Sequence, residues 1–93
     1  MIKSFKCKET KKIFDGNYSR KFAAEIQDRV FHKLEMIKNA KMINDLRIPP
    51  SNHLEQLSGD RKEQHSIRVN DKYRICFEWK DSYADNVELV DYH

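Results

Sequence analysis

The sequence contains little glycine, proline or cysteine, with two of each among 93 residues. Because glycine and proline are common in linkers and low-complexity segments, their scarcity argues against a disordered chain or a long linker. Cys7 and Cys76 lie far apart and form no CxxC pair, which favours reduced thiols and argues against structural zinc. We therefore expect one dense domain over residues 1–93, without a metal or cofactor.

Long apolar runs are also missing. No stretch approaches the roughly 18 apolar residues that a membrane helix needs, and the opening "MIKSFKCKETKK" lacks the apolar core of a signal peptide. We therefore expect a cytoplasmic protein that does not associate with a membrane.

Charge is plentiful, and it is unevenly distributed along the chain. The formal net charge is only +3. Residues 1–21 nevertheless carry seven basic and two acidic side chains, and residues 61–74 carry five and two. Residues 81–93 carry four acidic side chains and no Lys or Arg. Two basic zones and an acidic tail suggest a polyanionic partner, and the alternative is an ordinary solvated surface.

The first half of the chain has helical signals. Residues 7–15 predict a short helix that ends at Gly16, which tolerates a left-handed backbone. A long helix is predicted from Ser19, as its cap, to Asn39, because an apolar stripe recurs at spacings of three and four. The stripe consists of Phe22, Ile26, Val30, Leu34 and Ile37, and the face expected to meet water carries Arg20, Glu25, Asp28, Lys33 and Lys38.

The rest of the chain has strand signals. "MIKSF" predicts a short first strand, and "HSIRV", "YRICFEW" and "NVELV" predict three more, because they are rich in β-branched and aromatic residues and are separated by turn residues. The segment "RIPPSNH" excludes a regular helix. These elements predict an α+β fold, in which a small, mostly antiparallel sheet has two N-terminal helices packed on one face.

The hairpin between the second and third predicted strands has one register that keeps the apolar side chains together. If Val69 opposes Tyr73, all apolar side chains share a face, and Arg68 then lies opposite Arg74. Like charges directly across a strand pair are unfavourable. Two guanidinium groups side by side therefore suggest a phosphate site, and the alternative is that Glu78, Glu88 or solvent screens them.

The chain from "LSGDRKEQH" to the terminal "DYH", together with its opening, closely resembles the HigB group of RelE-like bacterial toxins. The most specific pieces are "GDR", "SIR.N...RICF.W" and "DYH". The resemblance implies a compact α+β toxin of a type II toxin–antitoxin system, an endoribonuclease that cleaves mRNA on the translating ribosome at the decoding site. It also implies inhibition by a HigA-type helix-turn-helix antitoxin, with contact to operator DNA only through that antitoxin.

The resemblance also assigns site residues by position. The terminal triplet of the family falls on Asp91, Tyr92 and His93, and its strand arginine falls on Arg74. Phosphate contacts are expected from Arg61 and Arg68, to which we add Lys72 and His53. The chain departs from the family pattern where Ser58 replaces a common Lys, Glu55 replaces a catalytic His of some relatives and Glu63 replaces a common Gly. His53 is the imidazole nearest to the position of Glu55.

The chemistry implied is metal-independent cleavage through the 2′ oxygen of RNA. His93 suits proton transfer, because an unperturbed imidazole pKa lies near 6.5. Tyr92 stacks on a base or positions the ribose. Asp91 orients His93, shares the role of base, or is a structural carboxylate paired with an arginine. Arg61 either contacts phosphate or pairs with Asp60 or Asp91.

Two other functions remain open from the sequence. The chain is alternatively a non-catalytic module that binds RNA or the ribosome through its basic zones. It is otherwise an inactive toxin relative that acts as a regulator, which the departures at Ser58 and Glu55 would suit. Only the terminal triplet favours the enzyme over the binding module.

Overall fold

Two helices and a four-stranded antiparallel sheet make up the described chain in this computed structural model. The description covers residues 1–61 and 63–91, with the backbone alone for Arg61. The helices are α1 (Lys8–Phe14) and α2 (Ala24–Asn39), and the strands are β1 (Glu55–Gln56), β2 (Gln64–Arg68), β3 (Tyr73–Lys80) and β4 (Tyr83–Asp91). Short 3-10 turns cover Ile43–Arg47, Pro50–Asn52 and Gly59–Arg61. The sheet order β1-β2-β3-β4 confirms the predicted α+β fold.

The register of the β2–β3 hairpin is the one predicted from the apolar pattern. Ile67 pairs with Ile75, and Arg68 pairs with Arg74. Across the next pair of strands, Ile75 lies opposite Leu89. This face of the sheet joins the helices in one core, whose buried members include Ile13, Val30, Leu34, Ile37, Ile67, Ile75, Phe77, Val87 and Leu89.

The start of α2 differs from the prediction. We expected Ser19 to cap the helix, but α2 begins at Ala24. The side chain of Gln27, in the first turn of α2, accepts a hydrogen bond from the backbone N of Ser19 and donates to the carbonyls of Ser19 and Phe22. The segment that precedes α2, from Ser19 to Phe22, is therefore stabilised by hydrogen bonds with a side chain of the helix itself. No helix within residues 1–61 and 63–91 is long and apolar enough to span a membrane.

The N-terminal segment does not form the continuous strand that we predicted. It makes two isolated parallel bridges to the outer edge of β4, from Ile2 to Ala84 and from Phe5 to Val87. A bulge in β4 separates the two bridges, because Asn86 adopts a left-handed backbone with φ of 52°. The Ser4 hydroxyl fills this gap by accepting a hydrogen bond from the backbone N of Asn86 at 2.8 Å.

Lys33 does not face water, contrary to the prediction. Its residue is only 9% exposed, and its Nζ donates a hydrogen bond to Asn52 Oδ1 at 2.5 Å. Asn52 is itself fully buried and donates through Nδ2 to the carbonyl of Leu46 at 3.1 Å. Helical periodicity placed Lys33 outside the apolar stripe but could not reveal that the Pro50–Asn52 turn packs over it.

The pH dependence of stability should report on His65. This residue faces the core side of β2, stacks on Phe77 and has a pKa lowered by burial. The unfolded chain therefore binds the proton more tightly, so the contribution of neutral His65 is present above about pH 6.5 and is lost as the pH falls towards the lowered folded pKa.

We expect His65→Gln to reduce the fall in the free energy of unfolding between neutral and mildly acidic pH. Urea denaturation at a series of pH values measures it. His32→Gln, which changes an exposed histidine on α2, is the control and should keep the wild-type pH dependence. An unchanged pH dependence in His65→Gln would contradict the prediction.

Candidate functional site

Arg74 is the most deeply buried of the described site residues, with 8% of its surface exposed. It lies near the start of β3, on the sheet face opposite the helices. Its Nε donates to Ser66 Oγ at 2.8 Å, and its Nη2 donates to the carbonyls of His53 at 2.5 Å and Ser66 at 3.3 Å. These acceptors are neutral, and they fix the plane of the guanidinium group.

His53 reaches this arginine through its backbone. The residue adopts a left-handed conformation with φ of 44°, directly after the Pro50–Asn52 turn, and its carbonyl thereby meets Arg74. His53 itself is exposed. Of the predicted phosphate contacts whose side chains the structure describes, His53 and Arg68 lie beside Arg74, the first as its hydrogen-bond acceptor and the second as its partner across the strands.

Arg68 is turned towards the hairpin loop. Its Nη2 forms an ion pair with Asp71 Oδ1, so the carboxylate that screens Arg68 comes from the loop rather than from Glu78 or Glu88. Glu78 accepts a hydrogen bond from Asn86 Nδ2 at 2.9 Å, and Glu88 lies 3.9 Å from Lys6 Nζ. The predicted pairing of Arg68 with Arg74 is confirmed in register.

Asp91 lies on the sheet face opposite that of Arg74, and Lys72 lies in the hairpin loop. Asp91 pairs with Tyr73, whereas Arg74 pairs with Val90, so alternation places Asp91 on the helix-facing side of the sheet. Its Oδ2 lies 3.9 Å from Lys72 Nζ in the hairpin loop. This contact with Lys72 does not test the predicted pairing of Asp91 with an arginine, which stays a prediction.

Three of the predicted site residues lie outside the described part of the chain. They are Tyr92 and His93, together with the side chain of Arg61. Their predicted roles therefore remain predictions. Within residues 1–61 and 63–91, no group of three His, Cys, Asp or Glu side chains is placed to hold a metal ion.

Sequence reasoning missed the side chains that support the predicted residues. Ser66 orients Arg74, and Asn52 holds the turn whose next residue is His53. Arg29 was also missed, and its Nη1 donates to the carbonyl of Val69 at 3.3 Å, at the end of β2. The signal for Ser66 was present, because Ser66 shares a sheet face with Arg68 in the predicted register. Asn52 and Arg29 gave no such signal, since their partners are far away along the chain.

The first basic zone forms a separate surface. A cleft of about 460 Å³ is lined by Lys3, Lys6, Lys8 and Lys11, with Phe5 and Phe14 at its apolar part. It lies between the N-terminal segment and α1, away from Arg74. The second basic zone contributes Arg68 to a smaller cleft of about 220 Å³ with Arg29 and Lys33.

Comparison with known proteins gives a consistent result. The family model described as the RelE-like toxin of type II toxin–antitoxin system HigB matches residues 3–93. Toxin HigB-1 of Vibrio cholerae is 40% identical over 90 residues, which cover 96% of this chain and 95% of that protein. Endoribonuclease HigB of Proteus vulgaris is 37% identical over 93 residues, the full length of both chains. An uncharacterized protein of Haemophilus influenzae is 36% identical over 74 residues, which cover 80% of this chain and 73% of that protein.

The α+β fold, with its two helices and antiparallel sheet, is that of the RelE-like toxins. Within that class, the chain belongs to the HigB family of toxins of type II toxin–antitoxin systems. The resemblance noted from the sequence motifs is thereby confirmed. A toxin of this type has an antitoxin as its partner.

Asn52 should be required for stability because it supports the turn beside the site. Asn52→Ala would leave Lys33 Nζ and two backbone carbonyls without their buried partner. We expect a loss of about 1–3 kcal/mol in the free energy of unfolding, the usual cost of unsatisfied buried polar groups. Urea denaturation measures this loss.

Asn44→Ala is the matched control, because Asn44 is exposed and its side chain only accepts a hydrogen bond from Arg47. It should change the free energy of unfolding by less than about 0.5 kcal/mol. Equal effects of the two substitutions would show that the buried contacts of Asn52 carry no special weight.

Proposed function

We propose that this toxin is a ribosome-dependent, metal-independent endoribonuclease that cleaves mRNA and thereby inhibits translation. Its partners in this proposal are mRNA, the ribosome at the decoding site and a HigA-type helix-turn-helix antitoxin, which alone contacts operator DNA. The proposed location is the cytoplasm, where translation takes place. Support comes from the family and from the relative in Proteus vulgaris, which is named an endoribonuclease.

The reaction uses groups that RNA itself supplies. A base removes the proton of the 2′ hydroxyl, the oxygen attacks the adjacent phosphorus, and an acid donates a proton to the departing 5′ oxygen. The products are a 2′,3′-cyclic phosphate and a 5′ hydroxyl. The protein has to move two protons and stabilise the negative charge that develops on the phosphate oxygens.

The fixed orientation of the Arg74 guanidinium group is the observation that carries the proposal. A guanidinium group held in one plane by Ser66 and His53 is prepared to meet phosphate oxygens without reorganising, which is how a charged donor contributes most to a transition state. Burial strengthens its field, because water screens it less. We assign Arg74 to the scissile phosphate, and Arg68, Arg61 and Lys72 to other phosphates of the RNA.

The terminal residues supply the proton transfer in this proposal. His93 is the acid or base, and Tyr92 stacks on a base or positions the ribose. We assign Asp91 to positioning Tyr92 and His93, which follow it directly in the chain. Asp91 lies on the helix-facing side of the sheet, and its contact with Lys72 joins the end of β4 to the hairpin loop. His53 contributes its carbonyl to the orientation of Arg74, and its exposed position also allows contact with RNA.

Replacing His93 should abolish most of the cleavage. Removal of a general acid or base lowers rates by roughly 10² to 10⁴. We expect His93→Ala to reduce cleavage of ribosome-bound mRNA by at least about 100-fold, measured by mapping the 5′ ends of the fragments. His32→Ala removes an exposed imidazole on α2 and should cleave as the wild type does. Equal cleavage by His93→Ala and the wild type would remove His93 from the mechanism.

The same variants separate the enzyme from a non-catalytic binding module. Arg74→Lys keeps the charge but loses the planar group that Ser66 and His53 orient. An enzyme should lose turnover in both Arg74→Lys and His93→Ala, whereas a binding module should lose affinity in the first variant and little in the second. Ribosome cosedimentation measures the affinity, and thermal unfolding checks that Arg74→Lys is folded.

A further inference from the structure

A small cleft beside the hairpin is lined mainly by cations. It has a volume of about 220 Å³ and is formed by Arg29, Lys33, Ser51, Arg68 and Val69. This volume is below the roughly 300–1,000 Å³ of pockets that enclose a drug-sized molecule. Its size and its three positive charges suit one phosphate group rather than a base or a cofactor.

In this cleft, Lys33 and Arg29 each donate a hydrogen bond to a neutral acceptor. Lys33 is only 9% exposed, and its Nζ donates to the amide oxygen of Asn52. Arg29 is anchored to the carbonyl of Val69. The pKa of Lys33 is lowered by burial and by the positive charges of Arg29 and Arg68. The three cations therefore repel one another, and a bound anion would relieve that repulsion.

The carboxylate that pairs with Arg68 is almost fully exposed to solvent. Asp71 pairs with Arg68, but its side chain is 99% exposed in the hairpin loop. Ion pairs at such exposed positions contribute little to stability. A phosphate that contacts Arg68 bidentately can replace Asp71 at small cost, and it would also reach Arg29 and Lys33.

The cleft shares Arg68 with the strand pair that carries Arg74. Arg68 lies directly across the strand pair from Arg74, so their Cα atoms are roughly 4.5–5.5 Å apart. The residues Ser51, Asn52 and His53 follow one another along the chain, and they contact the cleft, Lys33 and Arg74 in turn. A chain with regularly spaced phosphates matches this arrangement better than the side chains of an acidic protein do.

We propose that the Arg29–Lys33–Arg68 cleft is a second phosphate subsite, which binds an RNA phosphate neighbouring the one at Arg74. The inference rests on the proposed function, because it takes RNA as the ligand. It adds Arg29 and Lys33 of α2 to the RNA-binding surface. The sequence pattern assigned Lys33 to the water-facing side of the helix and gave no role to Arg29. RNA would therefore contact α2 as well as the strands.

Binding of a non-cleavable oligonucleotide tests this subsite. The probe is a fluorescein-labelled hexauridylate with 2′-O-methyl groups, titrated by fluorescence anisotropy against the full chain over a range of salt concentrations. We expect Arg29→Gln to weaken binding several-fold at low salt. The slope of log affinity against log salt should fall by about 0.7, the value for one phosphate contact to a single strand.

Lys38→Gln is the matched control. Lys38 lies on the same helix, is exposed and pairs with Glu35, so its replacement removes one positive charge outside the cleft. It should leave affinity and slope close to wild type. Arg68→Gln tests the cleft from the strand side if Arg29→Gln unfolds, and thermal unfolding identifies that case.

Three outcomes would overturn the inference. The first is an equal loss of affinity in Arg29→Gln and Lys38→Gln, and the second is wild-type affinity in both Arg29→Gln and Arg68→Gln. The third is weaker binding of the antitoxin by Arg29→Gln with unchanged binding of the oligonucleotide, which would assign the cleft to an acidic protein segment.

The oligonucleotide binding experiment tests the subsite independently of cleavage. Fragment mapping measures cleavage and fluorescence anisotropy measures binding, so failure of the proposed catalysis would appear in the first assay and leave the binding data intact. Conversely, wild-type cleavage with an unaffected Arg29→Gln would retain the enzyme and reject the subsite.

Discussion

The register of β2 against β3 is the constraint on which the rest of the structure depends. Pairing Ile67 with Ile75 sends the apolar side chains to the helices, and a slip of one residue would expose all of them to water. The same pairing forces Arg68 and Arg74 to be neighbours on the other face. The core thus fixes the position of two cations whose proximity is unfavourable by itself, and hydrophobic burial offsets their repulsion.

The lysines of the two basic zones and the buried arginine have different kinds of partner. Acidic residues of β4 reach lysines of both basic zones, through Glu88 with Lys6 and Asp91 with Lys72, at 3.9 Å in each case. These contacts are long, and the lysine side chains are 56% exposed at Lys6 and 53% exposed at Lys72. Arg74, by contrast, is held by neutral acceptors in a buried position. In the proposed function, the arginine is therefore the cation whose orientation is fixed before a phosphate arrives.

Much of this arrangement could be predicted from the sequence, because alternation along a strand determines which side chains share a face. The fold class, the hairpin register and the neighbouring arginines all follow from it. The start of α2 could not be predicted, since it depends on the side chain of Gln27 contacting Ser19. The burial of Lys33 was missed for the same reason, because Asn52 is 19 residues away along the chain. Contacts between distant segments leave no periodic signal.

The N-terminal segment has a consequence for assembly. By bridging to Ala84 and Val87, it occupies the hydrogen-bonding positions along the outer side of β4. A strand from another molecule cannot join the sheet there unless these first residues are peeled away. Lengthening of the sheet by a second polypeptide is thus discouraged at this part of β4, which removes an open strand edge of the kind that leads to aggregation.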